Sequence, residues 1–152
     1  MKHYKQLLAI ILIIAMLPLN TSYASAASEF DEITYFDDGS YTTIKITFFQ
    51  SRNGNSISAN KTATHYNSLD VVQWSATLYA TFTFDGTEYW ATASSISVNI
   101  QNNTWYEISK SASHSGCGAT GEVTMGQKFL GVTVNKESVT ITLSCSPYGV
   151  IR

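Results

Sequence analysis

The side chains able to do chemistry in this chain are few, and two of them sit close together. The stretch SHSGCGATGEV (113–123) puts His114 three residues before Cys117, with a glycine on each side of the thiol. A thiolate nucleophile needs a base within hydrogen-bond reach and a third group that orients the base. Nothing around this pair resembles a protease or transferase motif, and no oxyanion-binding sequence stands out. A zinc site needs about four ligands in tetrahedral array. Cys117, Cys145, His65 and His114 supply that number, but only one pair of them is close in sequence. A Cys117–Cys145 disulfide needs fewer coincidences. The chain has 2 cysteines, Cys145 ends the last predicted strand on its inward face, and an exported chain meets an oxidising environment. The bridge would close a loop of about thirty residues and stabilise by roughly 3–4 kcal/mol in the chain-entropy model. His114 and His65 are then expected as loop histidines. The expectation is no catalytic residue, no metal and no cofactor.

The carboxylates point the same way. Glu88, Glu107, Glu122 and Glu137 are scattered, mostly beside predicted turns. Asp37-Asp38-Gly39 offers oxygen ligands of the kind calcium takes and is equally an ordinary turn. NNT at 102–104 matches a glycosylation sequon.

Export is read from the first residues. Lys2, His3 and Lys5 make a basic start, Leu7 to Leu17 is an unbroken apolar run, and Ala24 and Ala26 stand in the small-x-small arrangement of a cleavage site. The run is shorter than the roughly 20 residues of a membrane-spanning helix. Residues 1–26 are therefore expected to be a cleaved signal peptide and 27–152 a single secreted domain, large enough to bury a core. No cysteine follows the run to carry a lipid, and the ending SPYGVIR has no apolar tail. Of 9 Lys and Arg, Lys2 and Lys5 leave with the leader, against 11 Asp and Glu. The mature chain is thus net negative and has no basic cluster, which excludes nucleic-acid binding and makes an anionic membrane a poor electrostatic partner.

The elements that must position these residues read as strands. In VVQWSATLYATFTFDGTEYWATASSISVNI, Val72, Trp74, Ala76, Leu78, Ala80, Phe82 and Phe84 alternate with polar residues, the period of a half-buried strand. Asp85-Gly86 predicts a two-residue hairpin turn pairing Phe82 with Tyr89 and Ala80 with Ala91, with Ala93 on the same inward face. A second hairpin is expected at Lys136-Glu137, with Leu130, Val132 and Val134 facing Val139, Ile141 and Leu143. Further strands are read at TTIKITFF (Ile44, Ile46 and Phe48 inward), SISVNI and TWYEISK, with a short one at GEVTM. The polar segment 51–68 reads as a loop, and 28–40 as locally acidic and partly loose. Seven to eight short strands in one domain predict an all-β antiparallel sandwich.

On this register Tyr79 and Trp90 point outward on adjacent strands. Exposed aromatics on a flat sheet form a stacking platform for sugar rings, so Tyr79, Trp90 and Trp105 are the candidate ligand-binding residues, with cell-wall or extracellular polysaccharide as partner. Two other classes compete. The long Ser/Thr-rich hairpin also suits a pore-forming or membrane-active protein, and two acids brought face to face would suit a secreted hydrolase.

The hairpin WSATLYATFTFDGTEYWATASSISV, the central SKSAS and the ending FLGVTV…VTITLSCSPYGVIR resemble a set of small exported β-rich proteins of Gram-positive bacteria. The resemblance covers most of residues 27–152. It implies export and a β-rich domain, and brings no activity and no site residues.

Overall fold

The computed structural model describes residues 32–49 and 54–152; the expected signal peptide, 1–26, lies outside them. Eight strands follow one another: β1 (Glu32–Tyr35), β2 (Tyr41–Phe49), β3 (Ser56–Tyr66), β4 (Val72–Phe84), β5 (Tyr89–Ile100), β6 (Trp105–Ser115), β7 (Gly118–Phe129) and β8 (Val132–Ser144). Every pairing is antiparallel and between chain neighbours. β1 to β5 form one sheet and β6 to β8 another, each in sequence order.

The two sheets close on one core. β4 supplies Trp74, Ala76, Leu78, Ala80 and Phe82 from the inward face its alternation predicts. Ala119, Val123 and Met125 of β7 and Ile141 and Leu143 of β8 meet them. Gly121 is needed where β7 meets the other sheet, because a Cβ there would come within 2.7 Å of Ile96 Cδ1. After β8 the chain doubles back: Cys145 bridges Ile151, and Ser144 and Arg152 exchange backbone hydrogen bonds of 3.0 and 2.9 Å.

Several expectations are corrected. Within the segment expected as a loop, 56–66 forms β3, a central strand paired with both β2 and β4. Its inward residues are Ile57, Ala59, Ala63 and His65, too small or too polar to stand out as an apolar stripe. Residues 32–35 pair with β2 as β1, where looser chain was expected. Residues 36–40 close their hairpin, with the Ser40 N–H donating to Asp38 Oδ1 at 2.9 Å. Ile44 and Ile46 face the core as expected; the side chain of Phe48 is outside the description.

The β4–β5 turn is two residues longer on the return side than expected. Phe84 pairs with Tyr89 and Phe82 with Ala91, because Asp85 Oδ1 accepts the N–H groups of both Thr87 and Glu88 at 2.8 and 2.7 Å. A bulge at Thr92 then shifts the phase: Thr81 pairs with Ala93, which faces outward rather than inward. The extra residue lets Ala91 and Ile96, five apart, face the same core.

The last hairpin turns at Leu130-Gly131, not at Lys136-Glu137. Phe129 pairs with Val132, and both turn residues have positive φ, 49° for Leu130 and 83° for Gly131, as a two-residue primed turn requires. Leucine in that conformation costs about 1–2 kcal/mol. Lys136 and Glu137 lie within β8, opposite Gly126 and Met125. Leu130, Val132 and Val134, expected inside, are all exposed.

Candidate functional site

The outer face of the five-stranded sheet is a lattice of small hydroxyl side chains. Across it, Ser58 and Thr81 share a hydrogen bond of 3.0 Å, and Thr62 and Thr77 one of 2.9 Å. Strand alternation places Tyr79 on this face, opposite Asn60 on one side and Ser95 on the other, and leaves its ring 46% exposed. The ring stands beside a depression of about 370 Å³ lined by Ser58, Thr81, Ala93 and Ser95. The Thr92 bulge makes this shape, since it brings Ala93 outward, and the Thr92 hydroxyl donates to the Thr81 carbonyl at 3.1 Å.

Trp90 shares the face and is 40% exposed, but the true register sets it opposite Thr83, four residues along β4 from Tyr79. That is roughly 13 Å at the strand rise, so the two rings are separate stacking points rather than one adjacent pair. Trp105 is a correction. It is 5% exposed, its ring lies 5.2 Å from that of His65 and 6.1 Å from that of Trp74, and it has no surface for a ligand. It heads β6, where the face alternation turns it toward the other sheet.

Sequence reasoning missed a buried polar knot beneath that end. His65, expected in a loop, is 1% exposed and stacks on Trp74 with ring centroids 5.2 Å apart. Its Nδ1 lies 3.2 Å from Thr42 Oγ1 and 3.1 Å from Glu137 Oε2, and Asn135 Nδ2 donates to Glu137 Oε1 at 3.3 Å. Burial pushes the His65 pKa down to about 4, partly opposed by Asp38. Burial, helped by Asp38, pushes the Glu137 pKa up to about 7. Both shifts favour the uncharged forms, so the contact reads as a neutral pair below about pH 7. Glu137 Oε2 and the Trp74 and Trp105 indole N–H groups have no hydrogen-bond partner. A cavity of about 220 Å³ lined by Phe36, Thr42, Trp74 and Glu137 reaches the knot from the β1 side. One signal was present in the sequence: Glu137 is in phase with Val139, Ile141 and Leu143 along β8.

Cys117 and Cys145 differ from the expectation. Both cysteines are free thiols, Cys117 exposed and Cys145 buried, so the expected disulfide is absent. Their backbones are neighbours, with the Cys145 N–H donating to the Cys117 carbonyl at 3.1 Å. The Cys145 thiol, however, donates to the Ser146 carbonyl at 3.2 Å, and burial raises its pKa. His114 lies on β6, not in a loop, and its Nδ1 is 3.1 Å from Ser94 Oγ. His65 belongs to the opposite end of the molecule, so the four zinc-type ligands do not converge, and among the described residues no three potential metal ligands cluster.

No family model matches the chain, and no curated protein or solved structure matches it either.

Proposed function

We propose that this is an exported, non-enzymatic binding protein whose outer five-stranded face takes a polysaccharide, of the cell wall or outside it. The observation that carries this reading is the exposed Tyr79 ring beside a depression floored by alanine and by serine and threonine hydroxyls. The C–H face of a sugar ring is apolar and stacks on an aromatic face, while its hydroxyls exchange hydrogen bonds with side chains that both donate and accept. Trp90 supplies a second stacking point farther along the same face. No strongly charged group lines the depression, which suits a neutral glycan better than an anionic one.

The test is co-sedimentation of residues 27–152 with purified Gram-positive cell walls and insoluble polysaccharides, beside Tyr79→Ala and Trp90→Ala. Both side chains are exposed, so both variants are expected to fold. Loss of pelleting in Tyr79→Ala, with a weaker loss in Trp90→Ala, is the expected outcome. Equal pelleting by all three proteins, or by none, refutes the assignment.

A further inference from the structure

The buried polar knot borders a cavity that the glycan reading does not use. This cavity, of about 220 Å³, is lined by residues of β1 and β8, strands that end their sheets and are each paired on one side alone. Trp74 lines it from the five-stranded sheet and Glu137 from the three-stranded one. Both residues are more than nine-tenths buried, at 1 and 8% exposure. Each brings a polar atom that has no hydrogen-bond partner among the described residues, Trp74 Nε1 and Glu137 Oε2. A buried polar group left unmet costs about 1–3 kcal/mol, and here two such groups belong to the lining of one space.

The unmet atoms define the chemistry that fits. An indole N–H donates and cannot accept, so a ligand must bring it an acceptor. Burial keeps the Glu137 carboxyl neutral below about pH 7, so its free oxygen takes an N–H donor without requiring a cation. The two side chains come from opposite sheets, and a trans secondary amide is planar, with its C=O and N–H directed to opposite sides. Phe36, Ile44 and Val139 give the same cavity apolar wall, which suits the methyl of an acyl group. Charged ligands match less of this. Glu32 in the cavity, with Asp37 and Asp38 in the adjoining depression, oppose an anion, against Lys136 as the cation nearby. A cation suits those carboxylates but offers the indole no acceptor.

We infer that the cavity between β1 and β8 binds the secondary amide of a small neutral ligand, its carbonyl accepting from Trp74 Nε1 and its N–H donating to Glu137 Oε2. The cavity is smaller than the roughly 300 Å³ at which pockets for drug-sized ligands begin, so it takes one group and not a whole molecule. The adjoining depression, of about 560 Å³, shares Phe36, Glu137 and Ser138 with it and has room for the rest of the ligand. The unpaired edges of β1 and β8 add free backbone donors and acceptors on either side, which again match an amide. An acylamino group on a sugar and a peptide unit present the same chemistry, and the choice of probe separates them.

The experiment is a nitrogen–proton NMR titration of residues 27–152, which retain every described strand, at pH 6. The probes are N-acetylglucosamine, N-acetylalanine methylamide and, as the ligand without an amide, glucose. The Trp74 indole N–H signal should move with at least one amide, together with the backbone signals of Thr42 and Val139, and should stay in place with glucose. The amide that moves it further identifies the source. Trp74→Phe keeps a ring in the core and deletes the donor, so it should bind about tenfold more weakly, read from the backbone signals. Thr34→Phe adds bulk at an exposed position of the lining, leaves the core intact and should abolish the response. Tyr79→Ala should respond like the parent protein, so failure here leaves the glycan reading untouched and failure there leaves this site untouched. A Trp74 signal that neither amide moves, or that glucose moves equally, overturns the proposal. So does a full response in Thr34→Phe, or one confined to Trp90, which would assign the amide to the outer face.

Discussion

Replacing Glu137 by Gln should uncover a pH dependence that the parent protein hides. In the unfolded chain Glu137 titrates near 4.5 and His65 near 6.5; in the folded protein the values are about 7 and about 4. The Glu137 pKa is raised on folding, so its contribution is fully present below 4.5 and is lost as pH rises through about 7. The His65 pKa is depressed, which for a base means that the folded state holds fewer protons between pH 4 and 6.5. Stability from His65 therefore grows with pH across that window and falls away as the pH drops toward 4. Each shift corresponds to about 3 kcal/mol at 1.36 kcal/mol per unit. Between pH 4.5 and 6.5 the two slopes are opposite and cancel, because folding turns a separated carboxylate and imidazolium into one neutral pair without net proton uptake. The parent protein should therefore show nearly flat unfolding free energy over this range in urea titrations. Glu137→Gln removes one slope and should gain about 3 kcal/mol from pH 4 to 6.5. The depressed acids Asp38 and Asp85 lose their contribution mainly below pH 4, beneath the window in which the difference curve is read. Parallel curves for the two proteins would refute the neutral-pair assignment, as would an imidazolium nitrogen signal for His65 at pH 6.

Three further outcomes follow from named contacts. Leu130→Asn should raise the unfolding free energy by about 1 kcal/mol through relief of the left-handed leucine, seen as a higher urea midpoint at unchanged m-value. Gly126→Ala should destabilise by about 1–3 kcal/mol, because the added Cβ displaces the Tyr106 ring and breaks its contact with Thr133; thermal unfolding reads the loss. A thiol reagent should label Cys117 at once in the native protein and Cys145 only on unfolding, since the first is exposed and the second 4% exposed; equal labelling rates would contradict the burial of Cys145.

How much of the fold could be read in the sequence depended on whether a strand's inward face was made of large apolar side chains. β4 was legible, because Trp74, Leu78 and Phe82 recur at period two over its whole length. β3 was not, although it alternates as faithfully, because alanine and histidine fill its inward positions and Lys61 interrupts them. That strand is nonetheless central, held by backbone ladders to β2 and β4, and its small inward side chains leave room for larger residues of the second sheet. The last hairpin failed for the opposite reason. Leu130, Val132 and Val134 form a convincing apolar stripe and face solvent, and the turn sits at a Leu-Gly pair that turn chemistry does not favour. Exposed leucines in the tip read as core whenever pattern alone is weighed.

The bulges carry the same lesson into the candidate site. Alternation fixes which side chains share a face only until an extra residue intervenes, and here one intervenes on β5 at Thr92 and another on β8 between its pairings to Gln127 and Lys128. The first lies beside Tyr79. Without it Ala91, Ala93 and Ser95 would follow one face and Ile96 and Val98 the other, and the apolar pair would turn from the core. With it, Ile96 and Val98 pack inward, Ala93 turns outward opposite Thr81, and a small side chain falls next to an exposed ring. The irregularity that defeats the sequence reading is thus the feature that opens the depression. That the outward position holds alanine, on a face otherwise tiled with serine and threonine, leaves the Tyr79 ring free on that flank to receive a ligand.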